Sequence, residues 1–313
     1  MAIISALLIA AVVAVIAGGM ISRQSVFTRQ LENQQLRAES GWMLRAGLEW
    51  SRQLLAEQRQ SDPLIRGGQR WAQPLAGVPG GQHKGQFEGR LDDEQGKFNL
   101  RNLVADEQVD EQALAAFRRL CSLIDIRPML VEAIITRVVE SYPVRVRRDP
   151  PPSSQQAFDS GRLTSPGALN RPLPARRPML RSLEQLADLP GIDAPALERL
   201  RRYVSVVPAN TWINGNTAPA EVLAAHVPGL SVQKARSLVA ERDGGRWFIN
   251  RGDFVNRLQM PNIEVESVRI GISSEWFRLQ GQVQRAQRRV RVEALLQQVE
   301  APLPRVVWVR VGV

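Results

Sequence analysis

Residues 1–21 form an apolar run broken only by Ser5 and small residues, and no charge precedes Arg23. A stretch of about 20 apolar residues is long enough to cross a bilayer core as an α-helix. The run therefore places the chain at a membrane. A removable secretory signal, with Val15 and Ala17 ahead of a cut at Gly18, is the competing reading, but such signals carry a basic leader and a shorter apolar core. The first charges, Arg23 and Arg29, follow the run. The positive-inside rule then gives no orientation, and a basic leader upstream is expected.

From Arg23 to Gln60 the chain stays helix-favouring, with Phe27, Leu31, Ala38, Trp42, Ala46, Trp50 and Leu54 mostly at helical spacing. Residues 1–22 are thus expected as the transmembrane part of one long helix and 23–60 as its periplasmic part. At 1.5 Å per residue that helix would be about 85 Å long and would lift a head clear of the membrane. The stretch MAIISALLIAAVVAVIAGG is similar to the mature N-terminus of type IV pilins and of the pseudopilins of type II secretion. The resemblance implies that a prepilin peptidase removes a basic leader and leaves Met1 as the processed, methylated N-terminus. Most members carry a glutamate where this chain has Ser5. A carboxylate in hydrocarbon is costly unless paired, and in the family its partner is thought to be the terminal amine of the neighbouring subunit. Loss of that charge fits a subunit with no neighbour ahead of it, as in the K-type minor pseudopilins.

The 313 residues exceed a single small head of about 100–150, so a second domain or large insertion is expected. Cys121 is the only cysteine, which excludes an internal disulfide. It falls in step with Leu114, Phe117 and Ile124 and reads as a buried, inert thiol. The net charge of +10 can indicate nucleic acid or anionic lipid. However, Lys84, Lys97 and Lys234 are the only lysines, and so strong an arginine bias fits a GC-rich genome as well as a binding surface.

Residues 62–84, rich in glycine and proline, break the long helix. Gln86–Leu91 alternates, Asp92–Gly96 is a polar turn and Lys97–Leu100 alternates again, which predicts a β-hairpin within 85–105. Helices follow over Glu111–Ile124 and Leu130–Val139, with Pro128 near the start of the second. Arg145–Arg177 is an exposed connection without assigned structure. Two helix pairs come next, over 180–208 and 211–258. In the first, Ser182 and Gln185 form a capping box for a helix reaching Leu189, Pro190-Gly191 turns, and Asp193 caps a helix through Tyr203. In the second, Thr217 caps a helix, Pro228-Gly229 turns, Ser231 caps the next helix, and Gly244-Gly245 ends it. Trp276–Val283, Arg288–Gln298 and Arg305–Val311 read as antiparallel strands within a closing segment, 263–313.

The segment GRLDDEQGKFNLRNL, Gly89–Leu103, resembles K-type minor pseudopilins, and INGNTAPAEVLAAHVPGL, Ile213–Leu230, is similar to helix-hairpin-helix modules. The first resemblance implies an α+β fold. A pilin-like long helix packs on an antiparallel sheet, and a large all-α domain, here 106–262, is inserted between the first hairpin and the C-terminal strands. It implies a single-pass inner-membrane protein with its bulk in the periplasm, seated at the tip of the pseudopilus. The implied partners are the I- and J-type minor pseudopilins, the major pseudopilin filament, the inner-membrane platform, prepilin peptidase, and a secreted substrate or the secretin. The second resemblance supports an alternative, a membrane-anchored DNA receptor of the competence type. There Gly229, Lys234 and Arg236 would contact phosphate. Against it, Asp193 stands where such hairpins need a second glycine, and its carboxylate repels phosphate at short range.

No H-E-x-x-H, G-x-S-x-G or P-loop pattern is present, and His83 and His226 lie in unrelated contexts. The chain reads as an assembly protein without an enzyme's site or a cofactor. Asp92, Asp93 and Glu94 are oxygen donors of the kind calcium takes, but a polar turn accounts for them. Calcium occurs in the helical insertion of some relatives. Here the corresponding loop offers Glu140, Asp149 and Asp159 scattered among arginines, whereas a hard dication needs carboxylates together.

Overall fold

The computed structural model describes residues 41–77, 86–145, 172–285 and 288–312, together with positions 19, 20, 24, 27, 34, 35, 38 and 39. Helix α1 occupies residues 41–61 of these. Its end is local chemistry: Pro63 disfavours helix at Asp62, and the Asp62 carboxylate accepts the Leu64 N–H at 2.9 Å, closing a turn. Strand β1 is Leu75–Ala76 and β2 is Gln86–Asp93. The chain then leaves the sheet for some 180 residues. It returns as β9 (Trp276–Arg285), β10 (Arg288–Gln297) and β11 (Arg305–Gly312). The spatial order is β1-β2-β9-β10-β11 and every pair is antiparallel. The expected closing strands are therefore present, and the fold is α+β.

Helix α1 packs on this sheet. Met43, Leu44, Leu48, Leu54 and Leu55 share one buried core with Phe87, Leu91, Phe277, Leu279, Val283, Val292, Ala294 and Leu296. The apolar series read from the sequence is divided: Leu54 is buried in this core and Trp50 packs against it, whereas Trp42 and Phe27 are 67% and 62% exposed. Periodicity locates an apolar series but does not say what covers it, and here the sheet covers only its later part. Contact is close because glycines remove side chains around one ring. A Cβ on Gly47 would lie 2.4 Å from the Phe87 ring, one on Gly281 2.5 Å and one on Gly89 2.9 Å. Phe87, 1% exposed, fills that slot.

The excursion from the sheet builds a helical body with its own core, running from Phe98 to Ile270. It contains α2 (Glu111–Leu123), α3 (Pro128–Val139), α4 (Ala194–Tyr203), α5 (Ala220–His226), α6 (Val232–Asp243) and α7 (Arg251–Leu258). Helices α2 and α3 lie where the apolar spacing puts them, with Pro128 opening α3. Cys121 is fully buried in this core, and burial pushes its thiol up to about 12. The body is not purely helical. Two-residue strands knit it together: β3 (Phe98–Asn99) pairs in parallel with β6 (Val204–Ser205), β4 (Val104–Ala105) with β5 (Gln108–Val109), and β7 (Ile213–Asn214) with β8 (Ile270–Gly271).

Several local expectations are corrected. There is no hairpin over 85–105: β2 pairs with β1 and β9, while Phe98–Asn99 joins the helical body. The cause is a 3-10 turn at Glu94–Gly96, closed by the Asp93 carboxylate accepting the Gln95 N–H at 2.8 Å, which steers the chain off the sheet. The segment Ser182–Leu189 forms only a 3-10 turn, Leu183–Leu186, and Ser182 makes no capping bond. The Gln185 side chain instead accepts the Arg181 N–H. Thr217 does not cap α5, which begins at Ala220 behind Pro219. Asp193 and Ser231 do cap α4 and α6, accepting the N–H groups of Ala196 at 2.7 Å and Lys234 at 3.2 Å. Gly191 and Gly229 make the two turns in the left-handed region, at φ +86° and +82°.

Candidate functional site

The charged and polar residues concentrate where the sheet meets the helical body. Asp93, the last residue of β2, points into that joint. Its Oδ2 accepts from the hydroxyls of Thr217 and Ser274, both at 2.6 Å, and from the Asn214 amide at 3.0 Å. The Asn214 amide nitrogen also donates to the carbonyl of Ile65 at 2.9 Å and to Ser274 Oγ at 2.8 Å. One carboxylate thus ties together the end of β2, the start of α5's approach, the turn before β9 and the loop after α1. Burial raises the Asp93 carboxyl above its ordinary value, against the four hydrogen bonds that lower it.

A second cluster lies alongside. Arg278 on β9 donates to Glu94 Oε2 at 3.0 Å and to Glu293 Oε1 at 2.9 Å, while Lys97 reaches Glu94 Oε1 at 2.9 Å. Glu94 is 1% exposed and Arg278 6%. Burial works against the Arg278 charge, but Glu94 and Glu293 outweigh it and hold the guanidinium above its ordinary value. Within the helical body, buried asparagines imitate strand partners. Asn102 exchanges two hydrogen bonds with the backbone of Thr211, at 2.9 and 2.7 Å. Asn216 does the same with Phe248, at 2.8 Å each way, and Asn99 accepts the Val207 N–H and donates to the Ala209 carbonyl. These clamps satisfy backbone groups that loops would otherwise bury unpaired.

The carboxylates considered for calcium are thus already engaged. Asp93 and Glu94 accept the bonds above, Asp92 lies 3.4 Å from Arg90, and Glu140 pairs with Arg177 at 2.9 Å. Asp149 and Asp159 fall outside the described residues, as do Met1, Ser5 and His83. Among the described residues no three His, Cys, Asp or Glu side chains gather closely enough to hold a metal. Lys234 donates to Gln259 at 3.0 Å and Arg236 pairs with Glu221 at 3.1 Å. At both hairpins one N–H of the helix's first turn, that of Ala196 or Lys234, is bound by Asp193 or Ser231. His226 is buried, and desolvation first, then Arg269 and Arg119, push it down to about 4, so it stays neutral.

Sequence reasoning singled out Asp93 and Glu94 but not Asn214, Thr217's hydroxyl, Ser274 or Arg278 as their partners. The available signal was polar residues inside apolar segments, Asn99 and Asn102 in FNLRN and Asn214 and Asn216 in INGN. Such residues are rarely buried without partners.

A helix laid on an antiparallel sheet, with a helical body joined to it through buried ion pairs and hydrogen bonds, defines an α+β scaffold. Two family models, both described as type II secretion system protein K, match residues 96–209 and 213–273, together more than half of the chain. The chain belongs to the type II secretion system protein K family. It is 26% identical over 305 residues to the type II secretion system protein K of Pseudomonas aeruginosa, covering 95% of this chain and 87% of that protein. The fold is also that of a chain in the crystal structure of the GspK-GspI-GspJ complex from the enterotoxigenic Escherichia coli type 2 secretion system. That match has a TM-score of 0.64 at 17% identity, over 90% of this chain and 99% of the other.

Proposed function

We propose that the chain is a minor pseudopilin that sits at the tip of the type II secretion pseudopilus and starts its assembly with I- and J-type partners. The family membership carries the secretion role, and a related fold occurs in a complex of GspK with GspI and GspJ. The single structural observation behind the terminal position is the helical body, Phe98 to Ile270, entered from β2 and left into β9. A head so enlarged is hard to stack among small subunits, and a cap tolerates it.

In this reading the apolar run 1–21 anchors the chain in the inner membrane before assembly and continues into α1 as one long helix. The helical body is an insertion into a pilin-like head of α1, β1, β2 and β9–β11. The exposed part of the apolar series, Phe27 and Trp42, suits packing against neighbouring helices of the filament. The major pseudopilin, the inner-membrane platform, prepilin peptidase and the secretin or a secreted substrate are the further partners. DNA reception gains nothing from the occupied hairpin turns. The test is co-purification of the full chain with I- and J-type pseudopilins from the same genome, with a DNA shift assay on the same preparation. A ternary complex indifferent to salt supports the tip; duplex binding that falls steeply with salt and no complex overturns it.

A further inference from the structure

Strand β11 is the open edge of the five-stranded sheet, hydrogen-bonded to β10 on one side only. An edge strand presents alternate N–H and C=O groups that lack partners, and proteins usually blunt it with proline, bulges or charge. Here the edge has no proline, and its one bulge lies near the start of the strand. Residues 305–312 read RVVWVRVG, without proline, and the single irregularity leaves Val307 unpaired opposite Leu295/Leu296, so that Trp308–Gly312 runs along β10 in unbroken register.

The side chains beside this edge are unfinished as well. Val292 and Ala294 are 4% and 0% exposed under α1, yet their cross-strand partners Val311 and Val309 are 62% and 43% exposed. The apolar row that the helix covers therefore runs out past it. On the opposite face Arg310 lies over Trp308, with Glu184 no nearer than 3.9 Å. Arg289, Arg291 and Arg305 are exposed with no carboxylate partner among the described residues. The edge thus offers hydrogen-bond groups in strand spacing, two valines and an excess of positive charge.

Resting on the tip reading above, we propose that β11 receives an extended acidic segment of a partner pseudopilin as a sixth strand of the sheet. Only an extended backbone satisfies alternate N–H and C=O groups in register. The arginines select carboxylates at alternate positions, and the valines select apolar residues between them. A second copy of this chain is the poorer occupant, because each copy carries a net charge of +10 and would bring the same arginines to the shared edge.

Amide hydrogen exchange on the full chain in detergent, alone and with the co-purified I- and J-type partners, tests this. The alternate amides of Arg305–Gly312 that do not bond to β10 are expected to slow at least about tenfold in the complex. Replacing Val309→Lys and Val311→Lys together is expected to weaken the complex about tenfold. Both side chains are already exposed, so the melting temperature of the isolated chain stays unchanged. A complex that forms while those amides exchange as before overturns the sixth strand and leaves the tip reading standing. Absence of any complex overturns both. Protection of the same amides in the chain alone, with dimers, shows a second copy as the occupant and overturns the partner assignment.

Discussion

The phenyl ring of Phe87 sits where three glycines leave room for it, and this turns Gly47 into a sharp test of packing. Alanine is favoured over glycine inside a helix by about 1 kcal/mol. At Gly47, however, its methyl would lie 2.4 Å from the ring, whereas at Gly41 nothing lies within 4 Å. Gly41→Ala is expected to stabilise the protein, and Gly47→Ala to destabilise it by about 1–3 kcal/mol through overpacking. Denaturant unfolding of the two variants checks the contrast. Asp93 supplies a second test, through pH. Its folded pKa lies above the unfolded value of 3.8 because burial disfavours the charge. The stability it contributes is therefore fully present below 3.8 and is lost as pH rises through the folded pKa. Asp93→Asn removes this loss, so the variant's unfolding free energy should fall less than the wild type's over that rise. The same variant sets an amide against the hydroxyls of Thr217 and Ser274 and should cost about 1–3 kcal/mol overall. Equal pH slopes in the two proteins would place the titration elsewhere.

Among the elements, helices with regular apolar spacing and a local start signal were legible in the sequence: α2, α4 and α6 with a capping side chain, and α3 with Pro128 at its start. Those whose polar residues serve distant parts of the chain were not. Thr217 looked like a cap because its position before Pro219 allows one; its hydroxyl goes to Asp93 instead. Sequence spacing cannot reveal a partner 124 residues away. The supposed hairpin failed for the same reason, since Asp93 closes a 3-10 turn and Phe98 finds a better-buried place beside Phe117, with ring centroids 5.3 Å apart. One short element is built against its residues. The turn between β4 and β5 holds Asp106 and Glu107 at φ +49° and +60°, a region that side chains enter at a cost of about 1–2 kcal/mol each. Replacing the pair with Asn-Gly, the residues this turn favours, should raise stability by about 0.5–1 kcal/mol. That gain is net of the exposed Glu107–Arg145 ion pair at 2.7 Å, a kind of contact that contributes little. Thermal unfolding checks it; a fall in stability would mean the ion pair outweighs the strain.

At the scale of the whole molecule, two cores meet across a joint that combines buried ion pairs and hydrogen bonds with a small apolar cluster of Val207, Trp276 and Leu295. Removing one member of a buried ion pair costs about 3–5 kcal/mol because its partner stays buried and uncompensated. Arg278→Met leaves Glu94, 1% exposed, with Lys97 alone. The variant should therefore lose stability on that scale and uncouple the two cores, so that calorimetry shows two transitions where the wild type shows one. A single transition in the variant would mean that the Asp93 hydrogen bonds to Asn214 and Thr217 and the apolar cluster of Val207, Trp276 and Leu295 suffice to keep the cores cooperative. The same division explains how far the sequence could be read. Hydrophobic periodicity, helix caps, turn glycines and family-like segments are local, and by themselves they determined the α+β class, the positions of most helices, the three closing strands, the buried thiol and the secretion family. Which part of the apolar series the sheet covers, where β2 pairs, which asparagines clamp which loops and how Asp93 and Arg278 join two cores were decided only by tertiary structure. Each depends on residues brought together from far along the chain, and a buried polar group finds its partner by position in space.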